Sequence, residues 1–298
     1  MKILLTGANG QVGWEIARRA VDHKVLALDH AALDITDAQA VARVLSDSGA
    51  AVVINAAAYT AVDRAEQEPE VAFAVNRDGP AHLAAACARL GIPLLHISTD
   101  FVFDGLKPGP YGEDDPVAPL GVYGRSKWEG EQAVRDTLAA HLILRVSWVF
   151  GAHGHNFVKT MLRLARERDE LRVVADQHGC PTYAGDIADV LLAMVGRIVA
   201  SQELGWGTYH YCGTPPTTWH GFAQTIVALA QTVEPLKTTS VVPIATVDYP
   251  TPAVRPANSV LDGTRIKTYF GIEPRPWLQG LQAMLLGDRH AGSDRSKP

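Results

Sequence analysis

A tyrosine and a lysine stand four residues apart in the stretch VYGRSK, at Tyr123 and Lys127. On a helix this spacing puts both side chains on one face, close enough to interact. A free phenol has a pKa near about 10, and a neighbouring positive charge lowers it. The pattern therefore predicts that Tyr123 donates a proton and that Lys127 lowers its pKa. This spacing alone is common by chance. The alternative is therefore that both residues lie on a solvated face of a helix and have no catalytic role.

A hydroxyl and a carboxyl group are predicted to lie at the end of a nearby strand. The run IPLLHIST (92–99) is apolar, and it leaves Thr99 and Asp100 at its carboxyl end. Carboxyl ends of parallel strands form the edge where such sheets bind ligands. We expect the Thr99 hydroxyl to hydrogen-bond a carbonyl oxygen that Tyr123 protonates, so the predicted catalytic residues are Tyr123, Lys127 and Thr99.

A glycine-rich turn near the amino terminus indicates a second kind of site. TGANGQVG places Gly7, Gly10 and Gly13 three residues apart, after an apolar run and before a helical one. Gly7 allows a sharp turn, Gly10 lets a diphosphate approach the backbone, and Gly13 allows close helix–strand packing. Free amide groups at the helix N-terminus attract phosphate. The turn therefore predicts a dinucleotide site.

Two acidic residues are placed for the adenosine half of such a dinucleotide. Asp29 ends the second apolar run, 19 residues after Gly10, where a carboxylate binds ribose hydroxyls. It favours NADH by repelling the 2′-phosphate of NADPH, although nearby basic residues could offset that repulsion. Asp34 can accept from the adenine amino group, and Ile35 can cover the ring. The alternative is that Asp34 or Thr36 caps the next helix.

The elements that position these residues alternate along the first half of the chain. Apolar, strand-like runs lie at 2–7, 24–29, 51–58, 92–99 and 141–150. Helical segments separate them. Continuously apolar strands between amphipathic helices predict an α/β protein with a doubly wound parallel sheet, a Rossmann fold.

After residue 150 the pattern changes to an amphipathic helix at 156–168 and a proline-rich tail. We expect a smaller C-terminal substrate-binding domain folded onto the sheet, without further strand–helix units. The predicted boundaries are 1–150 for the dinucleotide-binding domain with a return segment near 182–212, and 151–181 with 213–298 for the smaller domain.

Composition excludes several classes of partner. Of 298 residues 20% are charged, and the net charge of -5 gives no basic surface for nucleic acid or an acidic membrane. No run approaches the roughly 18 uninterrupted apolar residues of a membrane helix. The short apolar start resembles no secretory signal, and the 3 widely spaced cysteines fit a reducing compartment. We predict a cytoplasmic monomer or homodimer that acts on a small molecule.

Several motifs together resemble a known family. The glycine triplet with NAAAYT, ISTDFVF and YGRSK is similar to the extended short-chain dehydrogenases/reductases. Within them, PLGVYGRSKWEGE, RVSWVFG, DQHGCPT and TTWHGFA resemble the dTDP-4-dehydrorhamnose reductase family, and the resemblance runs from residue 1 to about residue 280. It implies hydride transfer from NADH or NADPH to carbon 4 of dTDP-6-deoxy-L-lyxo-4-hexulose, the last step of dTDP-L-rhamnose synthesis.

The resemblance also implies residue roles. Lys127 would hold the nicotinamide ribose, and Thr99 would orient the ketone. The implied cofactor contacts are Gly10, Gln11, Val12, Asp29, Asp34, Ile35, Ala58, Tyr59, Thr60 and Ile97.

For the sugar nucleotide, the resemblance implies contacts from Asp100 and Trp148. Trp148 offers a flat apolar face to a deoxysugar, or else is a partly buried core residue. Arg255, a lone arginine in a loop of the smaller domain, could clamp the substrate diphosphate, or else serves a surface or inter-domain role. Some relatives dimerise through Mg²⁺ held by acidic residues; Glu15 matches one position, whereas AGDIAD (184–189) does not clearly supply the rest. No metal ligand is therefore assigned, and Mg²⁺ stays an open alternative.

Two other functions share much of this pattern. One is a related nucleotide-sugar epimerase or dehydratase; a dehydratase normally needs a glutamate beside the threonine, whereas Thr99 is followed by Asp100 and Phe101. The other is a non-catalytic regulatory subunit of a methionine adenosyltransferase, which the presence of both Tyr123 and Lys127 argues against.

Overall fold

A computed structural model describes residues 1–200 and 205–292 of the chain. The strands are β1 Lys2–Thr6, β2 Lys24–Leu28, β3 Val52–Asn55, β4 Leu94–Thr99, β5 His141–Val146, β6 Val149–Phe150, β7 Glu170–Val174, β8 His178–Gly179, β9 Thr182–Tyr183, β10 Gly207–Tyr211, β11 Thr217–Thr218 and β12 Ser240–Ile244. The helices are α1 Gln11–Arg19, α2 Ala38–Ser48, α3 Val62–Ala65, α4 Pro69–Phe73, α5 Gly79–Leu90, α6 Val122–Thr137, α7 Phe157–Glu167, α8 Ala184–Val199, α9 Trp219–Gln231, α10 Thr264–Phe270 and α11 Trp277–Gly292. None of the helices in these residues is long and apolar enough to span a membrane.

A six-stranded parallel sheet is the main feature of the described residues. Its order is β10–β5–β4–β3–β1–β2, and each neighbouring pair is parallel. From β1 the chain adds β2 on one side and β3, β4, β5 and β10 on the other side. This change of side between β1 and β3 opens a crevice at the carboxyl ends of these strands. The predicted doubly wound α/β fold is confirmed.

Helices cover both faces of this sheet. In β1, Ile3 and Leu5 pack in the cluster with α1 and α8, whereas Leu4 packs in the cluster with α2 and α5. Because successive side chains of a strand point to opposite faces, a strand covered on both sides must be apolar throughout. This explains the continuous apolar runs in the sequence.

Two expectations about the strands are wrong. The run 141–150 is interrupted, because β5 ends at Val146 and Trp148 has a φ of 47°, in the left-handed region that does not continue a strand. The short β6 that follows pairs with β9 and not with the main sheet. The tail does contain a further strand–helix unit, since β7 and β12 pair in parallel and α9 lies between them in the chain.

A second apolar core lies outside the sheet. It joins α7, β7, α9 and α11, with residues such as Val158, Leu171, Phe222 and Leu281 fully or almost fully buried. The apolar face of α7 predicted from the sequence therefore packs here. The segments that build this core are those expected for the smaller domain, and the exact domain boundaries stay a prediction.

Candidate active site at the carboxyl edge of the sheet

The glycine-rich turn joins β1 to α1 with a backbone that requires glycine. Gly7 has a φ of 70°, and a Cβ there would collide with the amide nitrogen of Ala57. A Cβ on Gly13 would collide with the carbonyl oxygen of Gly7. Gly10 precedes α1 and supplies no side-chain cap for its first amide groups. These amides and the positive end of the helix fit the diphosphate of a dinucleotide.

Replacing Gly13 with alanine should damage both the fold and this cradle. The new Cβ meets backbone that cannot move aside, so we expect a loss of about 1–3 kcal/mol in the free energy of unfolding and weaker binding of a dinucleotide. The control is Gly196→Ala in α8, where a Cβ meets nothing within 4 Å; it should stabilise the protein by about 0.5–1 kcal/mol. Denaturant unfolding and cofactor fluorescence measure the two effects, and equal behaviour of the two variants would contradict the role of Gly13.

The first two residues of α1 meet different surroundings. Val12 is 8% exposed and packs in the core, so it can offer its backbone amide to a ligand but little of its side chain. Gln11 accepts a hydrogen bond from Asn156 at 3.0 Å, and His153 lies 3.0 Å from the carbonyl oxygen of Asn9. A loop distant in sequence thus borders the cradle, which the local pattern could not show.

Asp29 lies at the edge of the sheet directly after β2. Its Oδ2 accepts a hydrogen bond from Asn9 at 2.8 Å, and its Oδ1 accepts from the amide of Ala32 at 2.9 Å. Both donors fix the orientation of a carboxylate that is still partly exposed. The contact of this carboxylate with an adenosine ribose stays a prediction.

Asp34 does not cap α2, so that alternative is wrong. Asp37 is the cap, and its carboxylate accepts from the first amide groups of the helix. Asp34 instead accepts from the amide and hydroxyl of Thr36 at 2.9 and 2.8 Å, and these bonds, led by the backbone one, lower its pKa. Ile35 is 4% exposed in the core beside α2 and α5, so little of its side chain remains to cover an adenine ring.

The segment that follows β3 is held by Asn76, a residue that the sequence analysis missed. Asn76 accepts from the amide of Tyr59 at 2.9 Å and donates to its carbonyl at 3.0 Å, and it donates to Ser126 at 3.0 Å. Asn76 lies in a π-helical turn, Ala74–Asp78, a form that often occurs at functional sites. Asn76 thereby fixes the backbone of Tyr59, while cofactor contacts from Ala58, Tyr59 and Thr60 stay a prediction.

Lys127 is buried on α6, with 2% of its surface exposed. Its Nζ donates to the backbone oxygen of Ile97 at 2.7 Å, which brings these two predicted cofactor residues together. Burial lowers the pKa of Lys127 to about 8, and the Glu131 carboxylate opposes that shift. The ammonium is therefore charged at neutral pH but loses its proton in mildly alkaline solution.

Tyr123 lies one turn earlier on α6, with its ring edge-on to Phe101 at 5.4 Å between centroids. The predicted lowering of its pKa is wrong: burial raises the pKa of Tyr123 to about 12, a hydrogen bond with Thr99 lowers it, and Asp100 raises it. The prediction considered the spacing to Lys127 and not the loss of water around the phenol. The phenol is thus protonated at neutral pH, as a proton donor must be.

Thr99 and Asp100 lie at the end of β4, on the same edge. The Thr99 hydroxyl donates to Asp100 at 3.0 Å and accepts from the amide of Phe101 at 3.2 Å. Asp100 is 3% exposed, and burial raises its pKa to about 6. The structure therefore places the predicted hydroxyl beside the predicted phenol, with a carboxylate behind it.

A cavity of about 410 Å³ adjoins this edge at Phe101, the residue after Asp100, whereas Thr99, Asp100 and Tyr123 do not line it. Phe101 and Trp148 line it from the catalytic edge, while Met161, Leu164 and Leu171 line it from α7 and β7. Its volume lies in the range of small-molecule sites. The cavity thus joins the apolar surface of the second core to the edge that carries Tyr123.

The face of Trp148 that was predicted to receive a deoxysugar is covered. Its ring stacks on Trp219, with centroids 3.6 Å apart and planes 9° from parallel. The ring also lies so close to Gly179 that a Cβ there would collide with it. A ligand in the cavity would therefore contact an edge of this aromatic pair, unless Trp219 moves aside.

Arg255 lines the same cavity, but an acid already binds its guanidinium. Its Nη2 donates to Asp63 on α3 at 2.7 Å, which links the tail to the segment after β3. Arg168 and Arg172 also line the cavity. A diphosphate in the cavity would contact positively charged arginines, of which Arg255 also binds Asp63.

Within one chain the carboxylate of Glu15 pairs with arginines, whereas the Mg²⁺ alternative concerned an interface between two copies. Glu15 is 1% exposed, and its Oε2 accepts from Arg19 at 2.7 Å and Arg18 at 3.3 Å. Arg19 also binds Asp189, an acid of the segment AGDIAD, at 3.1 Å. Throughout the ranges 1–200 and 205–292, no three His, Cys, Asp or Glu side chains are grouped to hold a metal. The carboxylates here neutralise arginines.

Comparisons with known proteins agree with this geometry. Residues 1–289 match the family model described as the RmlD substrate binding domain. A dTDP-4-dehydrorhamnose reductase of Aggregatibacter actinomycetemcomitans is 48% identical over 285 residues, which cover 94% of this chain and 97% of that protein. Among solved structures, a dTDP-4-dehydrorhamnose reductase of Clostridium acetobutylicum has a TM-score of 0.90 at 37% identity, covering 97% of this chain and 100% of that one. Another from Bacillus anthracis, solved in complex with NADP, has a TM-score of 0.88 at 35% identity, covering 96% and 99%.

Proposed function

This chain belongs to the RmlD substrate binding domain family, and we propose that it reduces the 4-keto group of dTDP-6-deoxy-L-lyxo-4-hexulose to give dTDP-L-rhamnose. The observation that carries this proposal is the proximity of three features, two on the carboxyl edge of the sheet and one that adjoins it at Phe101. They are the glycine cradle, the Thr99–Tyr123–Lys127 group and the cavity of about 410 Å³. Together they supply a place for the cofactor, a proton donor and room for a nucleotide sugar.

The chain's own residues bind the cofactor and manage the proton. The cradle around Gly10 would hold the diphosphate and Asp29 the adenosine ribose, and the bound reduced nicotinamide supplies the hydride for carbon 4. Tyr123 donates its proton to the oxygen on that carbon, since a phenol with a raised pKa is neutral at pH 7. Thr99 hydrogen-bonds the same oxygen and orients it. Lys127 is charged below about pH 8, and we propose that its ammonium, one turn along α6 from Tyr123, stabilises the phenolate that Tyr123 becomes.

Product analysis tests this function against its neighbours in the fold. We expect one reduced nicotinamide to be oxidised for each dTDP-ketosugar consumed, with dTDP-L-rhamnose as the product. An epimerase would convert the sugar without net consumption of the cofactor, and a regulatory subunit would turn over neither. Either of those results would refute the proposal.

The carboxylate of Asp29 gives a prediction about cofactor choice. We propose that it disfavours the 2′-phosphate of NADPH, because its position beside Asn9 leaves it partly exposed where an adenosine ribose would lie. In Asp29→Asn, the ratio of kcat/KM for NADPH to that for NADH should rise about tenfold, which corresponds to about 1.4 kcal/mol. Asp22→Asn, which changes an exposed acid ahead of β2, is the control. An unchanged ratio in Asp29→Asn would show that this acid does not face the ribose.

A further inference from the structure

Glu131 on α6 is a buried carboxylate that the proposed mechanism does not use. It has no exposed surface, yet four donors converge on it. Ser98 donates at 2.5 Å, Arg145 donates through Nε at 2.8 Å and Nη2 at 2.7 Å, and Arg135 donates at 2.8 Å. A charge so completely enclosed and so fully bonded fixes the groups around it in one arrangement.

The position of Glu131 relates it to the catalytic residues. Tyr123, Lys127 and Glu131 follow one another at intervals of four along α6, and Thr99, Ile97 and Ser98 are three consecutive positions at the end of β4. Each helix residue contacts one of these strand residues. The Tyr123 phenol lies near the Thr99 hydroxyl, Lys127 donates to Ile97, and Glu131 accepts from Ser98. The Glu131 contact is therefore one of three that align the helix with the strand.

Residues on β5 and β10 also fix the position of the Glu131 carboxylate. Arg145 on β5 is the register partner of Ser98, and His210 on β10 is the register partner of Arg145. Arg145 Nη1 lies 3.3 Å from His210 Nε2, while His210 Nδ1 lies 2.9 Å from the carbonyl oxygen of Tyr111. Burial lowers the pKa of His210 to about 3, so the imidazole is neutral and accepts from Arg145. Ser98, Arg145 and His210 thus form a row across β4, β5 and β10. This row fixes the Nε and Nη2 atoms of Arg145 that donate to Glu131.

We propose that Glu131 is a positioning residue for the reduction: held by Ser98 and Arg145, it fixes α6 against β4 and so sets Tyr123 and Lys127 in line with Thr99. This inference rests on the proposed function. A buried ion pair by itself adds little to stability compared with apolar residues of the same size. A displacement of about 1 Å at reacting groups can, by contrast, cost on the order of 10²-fold in rate.

The negative charge of Glu131 also acts on the ammonium of Lys127. Besides Glu131 on the same helix, His96 on β4 faces that ammonium, but burial and the charge of Lys127 hold the pKa of His96 well below its usual range. The imidazole is therefore neutral when Lys127 titrates. The negative charge of Glu131 favours the protonated lysine and opposes the effect of burial.

Ser98→Ala tests the alignment without removing a charge. Three N–H donors remain on Glu131, so the carboxylate stays paired and the protein should fold. We expect kcat to fall about tenfold or more while the Kd for NADPH changes less than about threefold. Ser98→Thr, which keeps the hydroxyl, should recover most of the lost rate. Wild-type kcat in Ser98→Ala would overturn the proposal, and so would equal rates in the alanine and threonine variants.

Glu131→Gln tests the charge. The alkaline limit of NADPH affinity, which follows the ammonium of Lys127, should move to lower pH, and kcat should fall on the order of 10²-fold. The control is Glu129→Gln on the same helix, where the carboxylate is 38% exposed and lies 3.4 Å from Arg77. If Glu131→Gln changes only the melting temperature, with rate and pH profile as in wild type, the residue is structural and the inference is wrong.

These measurements separate the inference from the proposed function. NADPH affinity and its pH dependence are measured by cofactor fluorescence without any ketosugar. A wild-type protein that binds NADPH but leaves the dTDP-ketosugar unreduced would refute the proposed function. In that case the pH dependence of NADPH binding would still show whether Glu131 raises the pKa of Lys127.

Discussion

Replacing Tyr123 with phenylalanine should lower kcat by about 10² to 10⁴ and leave NADPH binding within about twofold of the wild type. The substitution removes one hydroxyl and keeps the ring that packs against Phe101. The fold should therefore be nearly unaffected, while the sugar oxygen loses its proton donor. Initial rates with saturating ketosugar and a fluorescence titration of the cofactor separate the two quantities.

The control for this variant is Tyr269→Phe. Tyr269 lies on α10 and is 53% exposed, so the loss of its hydroxyl should leave the rate at the wild-type value. Turnover in Tyr123→Phe close to that of Tyr269→Phe would remove Tyr123 from the role of acid. A large loss of stability in Tyr123→Phe would instead show that the hydroxyl serves the fold.

Replacing Lys127 with methionine should lower kcat/KM by about 10² to 10³. Methionine can fill much of the buried volume of the side chain, but it supplies no charge for the phenolate and no donor for the cofactor. We expect the Kd for NADPH to rise about tenfold as well. The control is Lys267→Met, because Lys267 on α10 is 60% exposed and lies 3.0 Å from Glu273 at the surface.

The pH dependence gives a second measure of Lys127. Its pKa is lowered to about 8 from the ordinary value, so the ammonium is present below that pH and is lost as the pH rises through it. In the wild type, kcat/KM should therefore fall above about pH 8. The fall should be absent from the low residual rate of Lys127→Met. A wild-type profile that is flat up to pH 10 or so would contradict the assignment.

Local sequence pattern was sufficient for the features that depend on neighbouring residues. The glycine spacing predicted the turn, because Gly7 and Gly13 meet within a few residues of chain. The four-residue spacing of Tyr123 and Lys127 predicted their place on one helix. The continuous apolar strands predicted a sheet covered on both faces.

Features that depend on distant contacts could not be predicted in this way. The ring of Trp148 is covered by Trp219, which belongs to another helix, so the sequence around Trp148 gave no sign of it. The raised pKa of Tyr123 follows from burial, which is a property of the assembled fold. The role of Glu131 could not be predicted either, because the Arg145 that binds it lies on β5, beside β4, and not near it in the chain.

We propose that this chain holds a reduced nicotinamide and a ketosugar so that hydride passes to carbon 4 while Tyr123 protonates the oxygen. The most direct measurement uses NADPH or NADH that carries two deuterium atoms at carbon 4 of the nicotinamide, with dTDP-6-deoxy-L-lyxo-4-hexulose as the acceptor. We expect dTDP-L-rhamnose with one deuterium at carbon 4 of the sugar and one equivalent of oxidised cofactor. Product without deuterium at that carbon, or cofactor that stays reduced while the sugar is converted, would contradict the account.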